Sequence, residues 1–240
     1  MHRASRLAPR RGPTSDVLFP RDATALLVID MQNAFCHPEG GFAQAGRAVH
    51  AQHAIVPTVA AIVRASRSAG VPIIWTIQEG LGPDDRARLT RPIPGLLGKP
   101  DAVPETWSIR DTWDAELIDP LHDEWRSEDH VVRKLRMSSF YSTTLDSLLR
   151  IRQIERLIVT GVNTEKCVES TVRDASFRDY DVVVVRDGVA TSDPAFHADS
   201  LRKFEAYFAT VLPSEAVIAA LAATADTAVA QPVGRHGVGS

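Results

Sequence analysis

Short apolar runs alternate with amphipathic stretches through most of the sequence. The apolar runs have the length and β-branched content of buried strands in a parallel sheet, and they cover residues 24–29, 71–77, 130–133, 156–160, 181–186 and 209–212. The stretches between them repeat apolar residues at helical spacing, which predicts helices over 53–69, 142–151, 165–180, 194–208 and 214–222. Pro57 fits the first of these helices only in its first turn, and Gly70 ends it.

The order of these elements determines the expected fold class. A strand, a helix and a further strand form a right-handed βαβ unit. Repetition of this unit predicts an α/β fold, a three-layer α-β-α sandwich with a mainly parallel six-stranded sheet. Residues 19–224 are expected to form a single domain. Residues 1–18 and 225–240 show no periodic pattern and are expected to be flexible tails.

Residues 78–117 lack a clear core pattern and are rich in Pro, Gly and charged residues. A long irregular segment inside a compact domain usually has a function. We therefore expect a lid or a subunit contact here, with a decorative insertion as the alternative.

Charge and composition exclude several classes of partner. The 240-residue chain has 27 Lys and Arg against 30 Asp and Glu, a formal net charge of -3, which argues against nucleic acid or an anionic membrane as the main partner. No apolar run approaches the roughly 20 residues that span a bilayer. The basic N-terminus lacks an apolar signal core, so export is not expected; a transit peptide is the alternative to a loose tail. The two cysteines, Cys36 and Cys167, form no disulfide framework, which fits a cytoplasmic location.

Candidate chemistry centres on residues 157–171, LIVTGVNTEKCVEST. The fourth strand is expected to end at Thr160-Gly161 and the next helix to begin at Glu165, so Cys167 falls in the first turn of a helix that follows a strand. Ligands collect at that edge of open α/β sheets, and a helix N-terminus favours a thiolate. Two interpretations of Cys167 stay open, a reactive thiol and a small buried core residue.

Two other strands bring charged residues to the same edge. Asp30 closes the first strand and Lys134 the third. A thiol must lose its proton before it attacks a carbonyl carbon; Asp30 can accept that proton and return it to the leaving amine. The charge of Lys134 favours both the thiolate of Cys167 and the carboxylate of Asp30. Backbone N–H groups around Asn163 and Cys167 can stabilise an oxyanion. A helix cap or a solvated strand end is the alternative for Asp30.

Three motifs in this order resemble the isochorismatase-like cysteine hydrolases: VID followed by MQNAF, the strand-end Lys134, and TGVNTEKCVEST. The resemblance covers about residues 18–212. It implies that Asp30 is the general acid/base, Lys134 the catalytic lysine and Cys167 the nucleophile. It also implies a cis peptide bond between Val162 and Asn163, the oxyanion-hole residue, and a homodimer or homotetramer.

Within that family, KLRMSSFYSTTLDSLLR and TGVNTEKCVESTVRDA are most similar to the ureidoacrylate and biuret amidohydrolases. The resemblance therefore predicts a cysteine-dependent amidohydrolase that cleaves a small ureido or carbamoyl amide through a thioester acyl-enzyme and releases ammonia or carbamate. A nicotinamidase or an N-carbamoylsarcosine-type amidase is the alternative. The cluster of Asp and His that holds the nicotinamidase metal has no counterpart in this sequence, so we predict no metal and no cofactor.

Two unrelated functions are disfavoured by particular residues. A phosphatase of the haloacid-dehalogenase type needs Asp-x-Asp, whereas this chain has Asp30-Met31-Gln32. A non-catalytic scaffold is disfavoured because all three members of the expected triad are present.

Lys166, beside Cys167, departs from the family, in which this position is usually small or apolar. Lys166 could raise the thiolate fraction or recognise a carboxylate, and a side chain that faces solvent is the default expectation. Cys36 is expected to be inert. The residues expected near the substrate, each with a core or loop role as the alternative, are Gln32, Phe35, Trp75 and Tyr141.

Overall fold

A six-stranded sheet lies at the centre of the fold. The structure is a computed structural model that describes residues 19–80 and 108–229. The strands are β1 (Thr24–Ile29), β2 (Ile73–Gln78), β3 (His130–Lys134), β4 (Arg156–Val162), β5 (Asp181–Ala190) and β6 (Thr210–Leu212). Their order is β3-β2-β1-β4-β5-β6, and every neighbouring pair is parallel. The predicted fold class is confirmed.

Helices and helical turns pack around this sheet. The α-helices are α1 (Asn33–Cys36), α2 (Gly41–Gln44), α3 (His50–Ala54), α4 (Val56–Ser68), α5 (Leu121–Glu124), α6 (Leu145–Ile151), α7 (Glu169–Ser176), α8 (Pro194–Lys203) and α9 (Ser214–Val229). A 3-10 turn covers Trp113–Ala115, and π-helical turns cover Thr164–Val168 and Phe204–Phe208. None of the helices within the described ranges has the length and apolar character needed to cross a bilayer.

Two apolar cores, one on each face of the sheet, hold the three layers together. Side chains alternate between the faces along a strand. Leu26 of β1 therefore belongs to one core, with Val59 of α4 and Val217 of α9. Leu27 belongs to the other, with Val172 of α7. All six residues of β1 are buried, as expected for a central strand covered on both faces.

The connections diverge at β1. The chain passes from β1 to β2 and β3 on one side, then returns to add β4, β5 and β6 on the other. The carboxyl ends of β1 and β4 therefore form the switch point of the sheet, where diverging connections leave a crevice.

Gly161 does not end β4 as the sequence predicts. The strand continues through Gly161 to Val162, beside Ile29 of β1. A Cβ at position 161 would lie 2.0 Å from the carbonyl oxygen of Ile29, and the φ of Gly161 is +118°. Glycine therefore permits the close approach of the two strands instead of breaking one of them.

Several helix boundaries differ from the predictions. The predicted helix 53–69 is two helices, α3 and α4, because Pro57 lacks an N–H and suits the start of a new helix. The predicted helices 165–180 and 194–208 each contain a π-helical turn. The last helix continues to Val229 and not to about 222, since the Ala-rich sequence there favours helix.

Predictions for residues 1–18, 81–107 and 230–240 lie outside the described residues. The flanks of the long segment 78–117 are described. Gly80 pairs with Ile109, and Leu117 pairs with Gln32 next to β1. Both ends of this segment are thus attached close to the carboxyl edge of the sheet.

Candidate active site

Asp30 lies directly after β1 in the left-handed region, with a φ of 51°. Asp tolerates this conformation better than most residues. Thr76 of β2 holds it twice: the carbonyl oxygen of Thr76 accepts the Asp30 N–H at 3.2 Å, and Oγ1 donates to Oδ1 at 2.7 Å. The carboxylate is completely buried, and its position is fixed by the neighbouring strand.

Lys134 is the last residue of β3, and its ammonium is buried against three oxygen acceptors. Nζ lies 2.6 Å from Oδ2 of Asp30, 2.8 Å from Oε1 of Gln78 and 3.2 Å from the carbonyl oxygen of Arg136. Burial by itself would lower the pKa of Lys134, but the charges and hydrogen bonds of Asp30 and Cys167 outweigh it, and the pKa lies above its usual value. Lys134 is thus held as the cation.

Cys167 lies in the π-helical turn Thr164–Val168 and is 7% exposed. Asp30 and Lys134 are close enough to Cys167 to affect the pKa of its thiol. Burial raises the pKa of Cys167 to about 12; Lys134 opposes this rise and Asp30 adds to it. Burial therefore favours the neutral thiol and acts against the thiolate that a helix N-terminus favours.

Asn163 is joined to Val162 by a cis peptide bond. Its Oδ1 accepts a hydrogen bond from Nε2 of Gln52 at 2.9 Å, and the same nitrogen donates to Oγ of Ser192 at 2.9 Å. Ser192 in turn donates to the carbonyl oxygen of Ala48 at 2.6 Å. Since Oδ1 is engaged with Gln52, the amide nitrogen is the end of the Asn163 side chain that can serve a ligand.

A small, narrow pocket opens beside Cys167. Its walls combine two phenyl rings, a thioether and three polar side chains: Phe35, Phe42, Met137, Gln78, Asn163 and Lys166. The rings of Phe35 and Phe42 meet edge to face, with centroids 4.9 Å apart. The expected position of Phe35 beside the substrate is consistent with this lining.

The other three residues expected near the substrate do not line this pocket. The amide of Gln32 is engaged by protein groups: Nε2 lies 2.8 Å from Oγ of Ser108, and Oε1 accepts the Gln78 N–H at 2.8 Å. Trp75 is in the core and donates from Nε1 to Asp129 at 3.0 Å. Tyr141 is 60% exposed. Gln32 and Trp75 therefore have structural roles, the alternatives that the sequence left open.

Lys166 also differs from its default expectation. Its side chain is only 20% exposed and lines the pocket instead of facing solvent. Nζ lies 3.2 Å from Oε1 of Glu165 and 5.7 Å from the centre of the Phe42 ring. An ammonium therefore lies in the pocket wall next to the candidate nucleophile.

Potential metal ligands within the described ranges form one group of three, the exposed side chains of Asp119, His122 and Asp123. None of them lines the pocket beside Cys167.

Sequence reasoning missed Thr76, Gln78 and Gln52. Thr76 and Gln78 are near the end of β2, and the rule that ligands collect at strand ends could have indicated them. Gln52 carries no local signal, because its partner Asn163 is 111 positions away in the chain.

The chain thus has a three-layer α/β fold in which Asp30, Lys134 and Cys167 are buried near one edge of the sheet. A family model described as the isochorismatase domain matches residues 24–216. The chain belongs to the isochorismatase family and is a hydrolase of that family. The resemblance stated from the motifs is confirmed.

Similar proteins include a ureidoacrylate amidohydrolase, a cysteine hydrolase and an N-carbamoylsarcosine amidase. A ureidoacrylate amidohydrolase RutB from Methylorubrum extorquens AM1 is 37% identical over 231 residues, which cover 92% of this chain and 90% of the relative. The crystal structure of a cysteine hydrolase from Pseudomonas syringae pv. phaseolicola 1448A is 26% identical, with a TM-score of 0.72 over 90% of this chain and all of that one. An N-carbamoylsarcosine amidase from Thermoplasma acidophilum is 27% identical, with a TM-score of 0.63 over 80% of this chain and 97% of its own. The expected enzyme class is confirmed at the level of the family.

Proposed function

We propose that this hydrolase is a cysteine-dependent amidohydrolase that cleaves a C–N bond of a small ureido or carbamoyl substrate. The observation that carries the proposal is the grouping of Cys167, which lines the pocket, with the buried ion pair of Asp30 and Lys134, both of which affect the pKa of its thiol. The ureidoacrylate amidohydrolase relatives support the substrate class.

Attack begins with proton transfer. Because the thiol is protonated at rest, Asp30 accepts the proton from Sγ while the sulfur attacks the carbonyl carbon. A C–S bond forms, and the π electrons move to the oxygen. We assign stabilisation of that oxyanion to the backbone N–H groups of Asn163 and Cys167. Lys134 keeps its charge throughout.

Collapse and hydrolysis return the protons. The C–N bond breaks, and the leaving nitrogen takes the proton from Asp30, which leaves a thioester on Cys167. Asp30 then accepts a proton from a water molecule, and the oxygen of that water attacks the carbonyl carbon of the thioester. The C–S bond breaks, sulfur regains its proton from Asp30, and a carbamate is released. The nitrogen that left in the first half of the reaction is ammonia if the terminal C–N bond is cleaved, and the substituted amine if the other C–N bond of the ureido carbonyl is cleaved.

An N-carbamoylsarcosine-type amidase is the second candidate, and the similarity to a solved amidase of that name favours it. Nicotinamidase is a further alternative within the family. All three activities use the same thioester chemistry, so the substrate alone separates them. We also propose a homodimer or homotetramer in the cytoplasm, on the resemblance stated above; light scattering tests the assembly.

Ammonia release over a substrate panel tests the proposal. The panel contains ureido acids, biuret, N-carbamoyl amino acids and nicotinamide, each with the wild type and with Cys167→Ala. We expect turnover of a ureido or carbamoyl compound that is lost in Cys167→Ala and that hydroxylamine diverts to an N-hydroxyurea. Dialysis against EDTA should not change it. Hydrolysis of nicotinamide alone, or equal turnover by Cys167→Ala, would contradict the proposal.

A further inference from the structure

The ammonium of Lys166 is a charged group in the wall of the candidate active site. Among the described residues that line the pocket, Lys166 is the cationic one, and the others are Phe35, Phe42, Gln78, Met137, Asn163 and Cys167. The buried ammonium of Lys134 is already engaged with Asp30. A substrate that enters this pocket therefore meets one ammonium at its wall and another, already paired, below the thiol.

The structure argues against two of the three roles that the sequence left open for Lys166. A solvent-facing role is disfavoured by the 20% exposure of the side chain and its place in the pocket wall. Thiol activation is disfavoured because the charges that shift the pKa of Cys167 belong to Lys134 and Asp30. The remaining role is recognition of a negative group on the substrate.

The contacts of Lys166 suit such a role. Glu165 holds Nζ at 3.2 Å, and the ring of Phe42 lies below it at 5.7 Å. An ammonium has three donors, so one contact with Glu165 leaves capacity for a ligand oxygen. A partly desolvated cation binds a carboxylate more strongly than a fully solvated one.

We propose that Lys166 is a specificity-determining residue that binds the carboxylate of the substrate, so that the enzyme acts on N-carbamoyl or ureido acids in preference to neutral amides. This inference rests on the proposed amidohydrolase function. Lys166 acts on substrate selection, and the thiol, Asp30 and Lys134 carry the reaction.

A matched pair of substrates tests the role of Lys166. One is an N-carbamoyl amino acid with a free carboxylate, and the other is its methyl ester, which keeps the same scissile bond. The measured quantity is the ratio of kcat/KM for the acid to that for the ester. A charge-assisted hydrogen bond predicts that Lys166→Met lowers this ratio about ten- to hundredfold, chiefly through KM of the acid. Lys166→Arg, which keeps the charge, should retain most of the preference for the acid over the ester.

Two further variants sharpen the test. Lys203→Met removes the same charge from α8, where Lys203 pairs with Asp199 at 2.6 Å, and should leave the ratio unchanged. Glu165→Gln removes the anion beside Lys166 and should raise the ratio, because it frees the ammonium and reduces repulsion of the substrate carboxylate. A lower acid-to-ester ratio in Lys166→Met together with a higher ratio in Glu165→Gln would support carboxylate binding.

The outcomes separate this inference from the proposed function. If the wild type hydrolyses the acid and the ester equally well, or if Lys166→Met lowers both equally, the role of Lys166 is refuted while the amidohydrolase stands. If the wild type hydrolyses no member of the ureido and carbamoyl panel, the proposed function itself fails.

Discussion

Nζ of Lys134 lies 2.6 Å from Oδ2 of Asp30, and the two side chains are 0% and 1% exposed. Asp30 and Lys134 therefore form a buried ion pair, and both affect the pKa of the Cys167 thiol. With a neutral thiol, the three groups have no net charge. Transfer of the thiol proton to Asp30 moves the negative charge to sulfur and leaves the sum unchanged. This arrangement avoids creating a net charge in a dry site during catalysis.

The charge of Asp30 predicts opposite effects of Asp30→Asn on alkylation and on turnover. Asp30 raises the pKa of Cys167, so its removal should lower that pKa and accelerate alkylation by iodoacetamide at neutral pH. Turnover should fall about 10³-fold, since general acid–base catalysis is lost. Both rates are measured against pH in a Cys36→Ala background, where Cys167 is the remaining thiol. Near-native turnover would remove Asp30 from the mechanism.

Lys134→Met should slow both the alkylation of Cys167 and turnover. Lys134 lowers the pKa of Cys167, so without it that pKa should rise further and the thiolate fraction at neutral pH should become smaller. The variant also leaves Asp30 buried without its partner, which typically costs about 3–5 kcal/mol of stability. Iodoacetamide rates and urea unfolding measure the two effects. Alkylation faster than in the wild type would show that Lys134 does not lower the pKa of Cys167.

The two cysteines should respond differently to the same substitution. Cys167→Ala should abolish turnover while the fold stays intact by circular dichroism, because the nucleophile is lost. Cys36→Ala should keep turnover, since Cys36 is part of an apolar core and its burial raises the pKa of its thiol further still. Loss of activity in Cys36→Ala with a retained melting temperature would point to a role that its packing does not suggest.

The sequence could identify Asp30, Lys134 and Cys167 because each lies next to a strand end, which is a local pattern. It could not identify Gln52, because the hydrogen bond to Asn163 joins two residues that are 111 positions apart in the chain. The burial of Cys167 is likewise not visible in the sequence. The helix start is a local pattern, whereas burial of the thiol depends on how all the layers pack. The core position of Trp75, one of the two roles that the sequence leaves open, depends on the sheet order as well as on its position in β2.

Gln52 should act as a positioning residue for Asn163. Gln52→Ala removes the donor to Oδ1 of Asn163 and leaves that buried oxygen unpaired, which frees the side-chain amide to turn. We expect kcat/KM to fall about tenfold, the loss that one net hydrogen bond to a buried group predicts. Ser192→Ala is the matched control, because it removes the other partner of Gln52 and keeps the contact with Asn163. Equal losses in both variants would indicate a general loosening of the site.

Gly161 and Gly46 form a matched pair of glycines with positive φ, at +118° and +75°. A Cβ at Gly46 meets nothing within 4 Å, so Gly46→Ala should cost only the left-handed conformation, about 1 kcal/mol.

A Cβ at Gly161 would lie 2.0 Å from the oxygen and 2.6 Å from the nitrogen of Ile29, both backbone atoms that cannot turn aside. Gly161→Ala should therefore cost about 3 kcal/mol or more and push β4 away from β1. Because Asp30 follows Ile29 directly, the same shift should separate Asp30 from Cys167 and reduce turnover in the molecules that remain folded. Urea unfolding gives the two free energies, and kcat per folded molecule gives the effect on the site. Similar stability and kcat in the two variants would show that close strand contact at Gly161 does not position Asp30.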